Sequence, residues 1–177
     1  MKYVALLRGI NVGGKNMIKM EALRQTLSGV GFENVKSYIN SGNLVFETTS
    51  KTDGRKLAQQ IHDAIRDKFG FDISVMVRPM AEIEGIIAKD PFAGQFESHK
   101  DVHVFFLDAE LTAEQRALLE AQACDTEIYD IDGRHVSVLL KKSILDSAVG
   151  KGFIDKKLKV AATARNWRTV QKIVELK

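Results

Sequence analysis

Residues 35–47 read VKSYINSGNLVFE, two short segments (Val35–Ile39 and Leu44–Glu47) on either side of Asn40-Ser41-Gly42-Asn43. Asn, Ser and Gly turn a chain back on itself, so the stretch predicts a tight hairpin. A hairpin joins antiparallel strands, whereas parallel neighbours need a long crossover. The reading therefore favours an antiparallel α+β sheet over the parallel sheet of a nucleotide hydrolase.

The choice matters because of the segment upstream. Tyr3–Arg8 reads as a mostly buried strand and runs into Gly9-Ile10-Asn11-Val12-Gly13-Gly14-Lys15-Asn16, which matches G-x-x-x-x-G-K-[ST] in all but its last position. That last position supplies the magnesium-ligating hydroxyl of a nucleotide-binding loop, and Asn16 has none. The helix also starts late, near Lys19, and the hairpin at 40–43 follows where a parallel crossover belongs. A triphosphatase is disfavoured; a structural turn and an anion or phosphoryl site both remain open. For the second, Gly9, Gly13 and Gly14 permit an inward-pointing set of N–H groups. Lys15 adds charge, and Arg8 a fork matched to phosphate or carboxylate.

Outward from the hairpin, Met20, Leu23, Leu27 and Val30 fall at helical spacing, as do Leu57, Ile61, Ile65 and Phe69 ahead of Gly70. Ile73–Val77 is a strand halted before Pro79. Residues 1–79 thus read β-α-β-β-α-β, a first unit. Residues 80–100 supply a connecting helix, Met80–Lys89, and a loop. The pattern restarts over 101–177, the second unit. Val102–Leu107 is a strand, and Thr112 to Gln115 has capping-box spacing. Thr126–Ile131 and His135–Leu140 flank Asp132-Gly133 as a second hairpin. Residues 143–158 read as helical, Val160–Thr163 as a short strand, and a last helix carries Trp167, Val170 and Val174 behind Thr163 as cap. The expected fold class is α+β: two tandem units resembling a duplicated ferredoxin-like fold, with a C-terminal helix. No residue-level repeat is visible between them.

The chain has 177 residues, 45% hydrophobic and 28% charged, the balance of an ordinary globular protein. Its longest apolar runs fall far short of the ~20 residues that cross a bilayer, and no secretory leader is evident. Cys124, the lone cysteine, excludes an intramolecular disulfide and a cysteine-based metal cluster, and reads as a small core residue. A cytoplasmic location with no membrane partner is expected. Residues 141–177 carry ten Lys or Arg against three acids, a balance of +7 that leaves −4 for residues 1–140. Such a segment attracts phosphates on nucleic acid or metabolites, or simply forms a solvated face.

Other constellations are sparser. Ser41, Asn43 and their hairpin could flank the glycine loop if the hairpin lies beside the first strand. Arg165, Asn166, Trp167 and Arg168 follow Thr163 in a segment able to grip a phosphate. The four histidines are scattered, and no metal site is expected. The RNA-recognition order of strands is present without its aromatic platform: Tyr3 and Phe46 stand alone on the two central strands. Nucleic-acid binding through that face is disfavoured.

Four stretches resemble one known family: YVALLRGINVGGKN, GFENVKSYINSGNLVFE, KFGFDISVMVR and TARNWRTVQKIVEL. They are similar to the uncharacterised bacterial proteins grouped as domain of unknown function 1697, and the likeness runs from near the first residue to the last helix. It implies two ferredoxin-like, partly intertwined subdomains and a cytoplasmic protein of no established activity. Its characteristic residues fall on Arg8, Gly9, Asn11, Gly13, Gly14, Lys15, Ser41, Gly42, Asn43, Arg165, Asn166 and Trp167. One departure stands out. Relatives tend to carry a glycine-containing turn into Ser-Lys-Leu where this chain reads KSILDSAV at 142–149, and only Ser147 corresponds.

The expectation is a small anionic, phosphorylated ligand held by Arg8, Gly9, Asn11, Gly13, Gly14 and Lys15, with Ser41, Asn43, Arg165, Asn166 and Trp167 flanking. The alternative is a non-catalytic module binding nucleic acid or protein through the basic C-terminal segment. The sequence names no cofactor, no catalytic residue and no oligomeric state.

Overall fold

The computed structural model describes residues 1–50 and 52–176. The chain divides into two compact units, Met1–Ala88 with Gln171–Lys177, and Lys89–Val170. Among the described residues it is an α+β protein of two four-stranded antiparallel sheets and six α-helices. No helix among them is long and apolar enough to cross a membrane.

The first unit runs β1 (Lys2–Leu7), α1 (Met20–Gly29), β2 (Glu33–Tyr38), β3 (Asn43–Glu47), α2 (Gly54–Phe69), β4 (Val75–Pro79) and α3 (Met80–Lys89), and its sheet order is β2-β3-β1-β4. The hairpin forms where the sequence places it: β2 and β3 are antiparallel, with Tyr38 opposite Asn43. Period-two alternation sends Tyr3, Ala5 and Leu7 of β1 and Leu44 and Phe46 of β3 to one face. There they meet Leu23 and Leu27 of α1 and Leu57, Ile61 and Ile65 of α2. Each Leu, Ile or Phe among them, fully buried, stabilises the fold by about 1.5–3 kcal/mol over its exposed state. Asp53 caps α2 by accepting from the Arg55 N–H, and Gly70 ends it in a left-handed conformation. Val4, Leu6, Val45 and Met76, on the opposite face, are buried too.

The second unit runs β5 (Val102–Leu107), α4 (Ala113–Glu120), β6 (Glu127–Asp132), β7 (His135–Leu140), a 3-10 turn (Ile144–Asp146), α5 (Phe153–Lys156) and β8 (Ala162–Asn166), in sheet order β6-β7-β5-β8, and ends in the start of α6 (Trp167–Glu175), which counts with the first unit from Gln171 on. Phe105, Leu107, Val136, Val138 and Leu140 form the core with Leu119, Ile154 and Leu158. The Thr112/Gln115 capping box is realised in both directions.

Three elements differ from the sequence reading. The strand expected over 73–77 is β4, Val75–Pro79, which takes Pro79 into the sheet opposite Tyr3 instead of stopping before it; a proline is tolerated there because β4 is an edge strand. The helix expected over 143–158 is broken into the 3-10 turn and the single turn of α5. Its middle is claimed by other partners: the Ala148 and Val149 N–H groups donate to the carboxylate of Glu127, at 3.0 and 3.3 Å. A Cβ on Gly150 would lie 1.7 Å from the Ile144 carbonyl oxygen, so only glycine permits this fold-back. The last strand covers 162–166 rather than 160–163, which places Thr163 in the sheet opposite Phe106. Asn166 does the capping instead, its Oδ1 accepting from the Thr169 N–H at 2.9 Å.

The registers of the two sheets repeat. Val4 lies between Val45 and Arg78 as Val104 lies between Ser137 and Arg165. The strand ends repeat as well. Leu7 and Arg8 donate to Gly42 and Ser74, while Leu107 and Asp108 donate to Arg134 and Ala161. The repeat lies in the hydrogen bonding, and at Val4 and Val104, Leu7 and Leu107, and Arg78 and Arg165 it extends to the residue itself.

Candidate functional site

From the equivalent points Arg8 and Asp108, the two chains take different routes to their next helix. In the second unit five residues, Asp108–Thr112, connect β5 to α4; in the first, twelve residues, Arg8–Lys19, connect β1 to α1. The short connection carries Asp108 and Glu110, the long one Arg8, Lys15 and Lys19 with no acid. The added length does not serve the helix start, since Lys19 makes no side-chain cap to α1.

The long connection has an anchored base and an exposed tip. Ile10 and Ile18 are 1% and 4% exposed and join the core. Asn11 ties the base together: its Nδ2 donates to the Ile18 carbonyl at 2.9 Å and to the Asn40 carbonyl at 2.8 Å, while its Oδ1 accepts from the Ile18 N–H at 2.7 Å. Asn16 Nδ2 donates to the Gly9 carbonyl at 3.1 Å. Between them Val12 and Lys15 pair across Gly13-Gly14, with the Lys15 N–H donating to the Val12 carbonyl at 3.0 Å. Both central residues have positive φ, 58° and 74°, as a two-residue I′ turn requires. Gly9, Asn11 and Asn16 also hold positive φ; Asn is the non-glycine residue that tolerates it best. The loop is thus a small built hairpin. Its helix does not begin behind the lysine, as it would in a nucleotide-hydrolase loop.

At the tip, Val12, Gly13, Gly14 and Lys15 are exposed. The N–H groups of Gly13 and Gly14 have no partner among the described residues, and Lys15 forms no ion pair among them. Arg8 is half-buried at the base.

The Asn11–Asn40 bond brings the 40–43 hairpin beside this loop, as the sequence reading required. Ser41 and Asn43 are turned to architecture, however. Asn43 is fully buried, and its Nδ2 donates to the Tyr38 carbonyl and to Ser41 Oγ, both at 3.0 Å. Gly42 is packed so closely that a Cβ would meet that of Leu7 at 2.6 Å.

Arg165, Asn166 and Trp167 belong to the second unit. Arg165 is 8% exposed, and its Nη1 donates to Thr163 Oγ1 and the Ala164 carbonyl, each at 2.8 Å. Burial lowers its pKa to about 10, which leaves it charged at neutral pH. Asn166 caps α6, and Trp167 is 3% exposed.

Two features escaped the sequence reading. Cys124 is exposed rather than in the core. The Thr126 hydroxyl and N–H hold its thiol below the usual range, helped by Lys142 with its Nζ 4.0 Å from the sulfur. The other is Glu127, only 1% exposed and surrounded by Tyr129, Lys142 and two loop amides. An acid in a β-strand normally marks the solvent face, so nothing in the sequence flagged it. Among the described residues, no three His, Cys, Asp or Glu side chains gather in a way that could hold a metal ion.

The profile of a family described as "Protein of unknown function (DUF1697)" matches residues 1–136. A solved structure, that of the conserved bacterial protein SP0830 from Streptococcus pneumoniae, is similar with a TM-score of 0.77 and 27% identity, over 99% of this chain and 97% of that one. No curated protein matches significantly.

Proposed function

We propose, for a chain that belongs to the DUF1697 family of proteins of unknown function, that the connection 8–16 recognises a small anionic, phosphorylated ligand. One observation carries this reading: the equivalent connection of the second unit reaches its helix in five residues, with two acids and no cation. Loops longer than topology needs, and held at unusual backbone angles, concentrate at functional sites. Lys15 supplies charge at the tip, and the partnerless Gly13 and Gly14 amides supply donors of the kind that bind phosphate oxygens. Arg8 reinforces the positive field from the base. Asn11, Ser41 and Asn43 hold the frame, which fits their hydrogen bonds better than ligand contact does. Arg165, Asn166 and Trp167 belong to the second unit and are taken up by its own strand end, helix cap and core. We assign recognition and no reaction.

Each unit is, on the same reading, ferredoxin-like. The strand orders β2-β3-β1-β4 and β6-β7-β5-β8, with helices following the first and third strands of each sheet, support it.

A thermal-shift screen over inorganic phosphate, sugar phosphates, nucleotides and coenzyme A tests the proposal, because a ligand that binds only the native state stabilises it, increasingly as its concentration exceeds its Kd. Lys15→Ala is expected to keep the ligand-free melting temperature within a few degrees and to abolish the shift given by inorganic phosphate and sugar phosphates. A large ligand-free drop would assign the loop to architecture alone. The alternative, a nucleic-acid or protein-binding face on the basic C-terminal segment, predicts oligonucleotide affinity that falls steeply with salt and ignores Lys15→Ala.

A further inference from the structure

The turn at 143–152 is heavily cross-tied. Glu127 accepts from the Ala148 and Val149 N–H groups, from Lys142 Nζ at 2.9 Å and from the Tyr129 hydroxyl. Ser147 is fully buried; its Oγ donates to the Ile144 carbonyl at 2.6 Å and accepts from the Gly150 N–H at 2.9 Å. The next amides are occupied as well: those of Lys151, Gly152 and Phe153 donate to the carbonyls of Ser147, Val149 and Ala148. A loop tied this way is rigid, and it has no backbone donor left for a ligand from Ala148 to Phe153.

Its outer side lines an open cavity of about 390 Å³ whose wall includes the exposed Lys151, Lys156 and Lys157 together with Phe153, Gln122 and Asp146. A space of that size falls within the range of small-molecule sites and exceeds what one phosphate needs. The lining thus carries three lysines against one carboxylate, Asp146. None of the three lysines forms an ion pair among the described residues, although Asp146 lines the same cavity. Lys156 is partly fixed, its Nζ donating to the Lys151 carbonyl at 3.0 Å. Gly152 makes room for this, since a Cβ there would already press on Lys156 Cε at 3.1 Å.

We propose that this cavity is a second anion site, built for a diphosphate group and separate from the glycine loop. Rigid backbone with spent amides leaves recognition to side-chain charge, and an excess of two positive charges suits a multiply charged anion better than a monoanion. The diphosphate could be free or carried by a nucleoside; the half-buried Phe153 ring offers an apolar wall to the second kind.

Titration calorimetry with inorganic pyrophosphate, and separately with ADP, tests the proposal and its two sources. The wild type is expected to bind pyrophosphate with one-to-one stoichiometry at this site. Lys151→Ala/Lys157→Ala should weaken binding at least tenfold with an unchanged melting temperature, and Lys15→Ala should leave it intact. Equal affinity for both probes assigns the site to the diphosphate alone; tighter ADP binding, reduced to the pyrophosphate level by Phe153→Leu, assigns it to a nucleotide. Absence of pyrophosphate and ADP binding in the wild type overturns the proposal. So does undiminished affinity in the double variant, or loss of binding in Lys15→Ala. Lys157→Ala alone provides a second reading should the double variant melt early, because Lys157 Nζ holds no hydrogen bond among the described residues.

Discussion

Glu127 shows how much a single residue can organise without announcing itself in the sequence. Burial alone would raise its pKa, but donation from Tyr129, Lys142 and the Ala148 and Val149 amides outweighs that and lowers it. A carboxylate whose native pKa is depressed adds stability above its unfolded value, about 4.3, and loses it as the pH falls through the native value. Glu127→Gln should therefore cost about 1–3 kcal/mol at pH 7 by weakening bonds to buried donors, measured by urea denaturation. The gap between variant and wild type should narrow on acidification below the unfolded value; a gap constant from pH 7 to pH 3 would show that charge plays no part. The same residue explains why the helical reading of 143–158 fails. Propensity is a local quantity, and the amides needed for that helix are drawn to an acid some twenty positions away in sequence.

At the scale of elements, legibility followed the strength of local physics. Helix α2 was readable because Leu57, Ile61 and Ile65 mark one face and Gly70 ends it, and all three side chains do reach the core. The α4 capping box was readable because its two residues satisfy each other. The junction of β8 and α6 was not. Thr163 and Asn166 are both good caps by composition, and the choice depends on how far the strand runs, which pairing with β5 decides. Asn166→Ala should accordingly destabilise the protein by about 1 kcal/mol in thermal or chemical denaturation. A neutral result would mean that α6 is held by Trp167, Val170 and Ile173 packing alone. The glycine loop was legible in a similar half. Its glycines and positive charges stood out, but the roles of Asn11 and Asn16 as ties depend on contacts with Ile18, Asn40 and Gly9 that no spacing rule encodes.

At the scale of the whole molecule, the repeated registers give the candidate site its meaning. Arg78 and Arg165 match in both backbone position and residue, while Gly42 and Arg134, and Ser74 and Ala161, match in backbone position and differ in side chain. Unequal connection lengths shift the offset from strand to strand, which hides the duplication from residue-by-residue comparison. Once the units are set side by side, the Arg8–Lys19 connection is the feature the second unit lacks, and its tip is the part the core does not use. On the proposed function this tip holds a phosphate-bearing anion. The most direct measurement is an amide ¹H–¹⁵N correlation titration with inorganic phosphate. The account predicts saturable shifts at the Gly13, Gly14 and Lys15 amides that vanish in Lys15→Ala. Shifts confined to other residues, or none at the loop up to saturating phosphate, would contradict it.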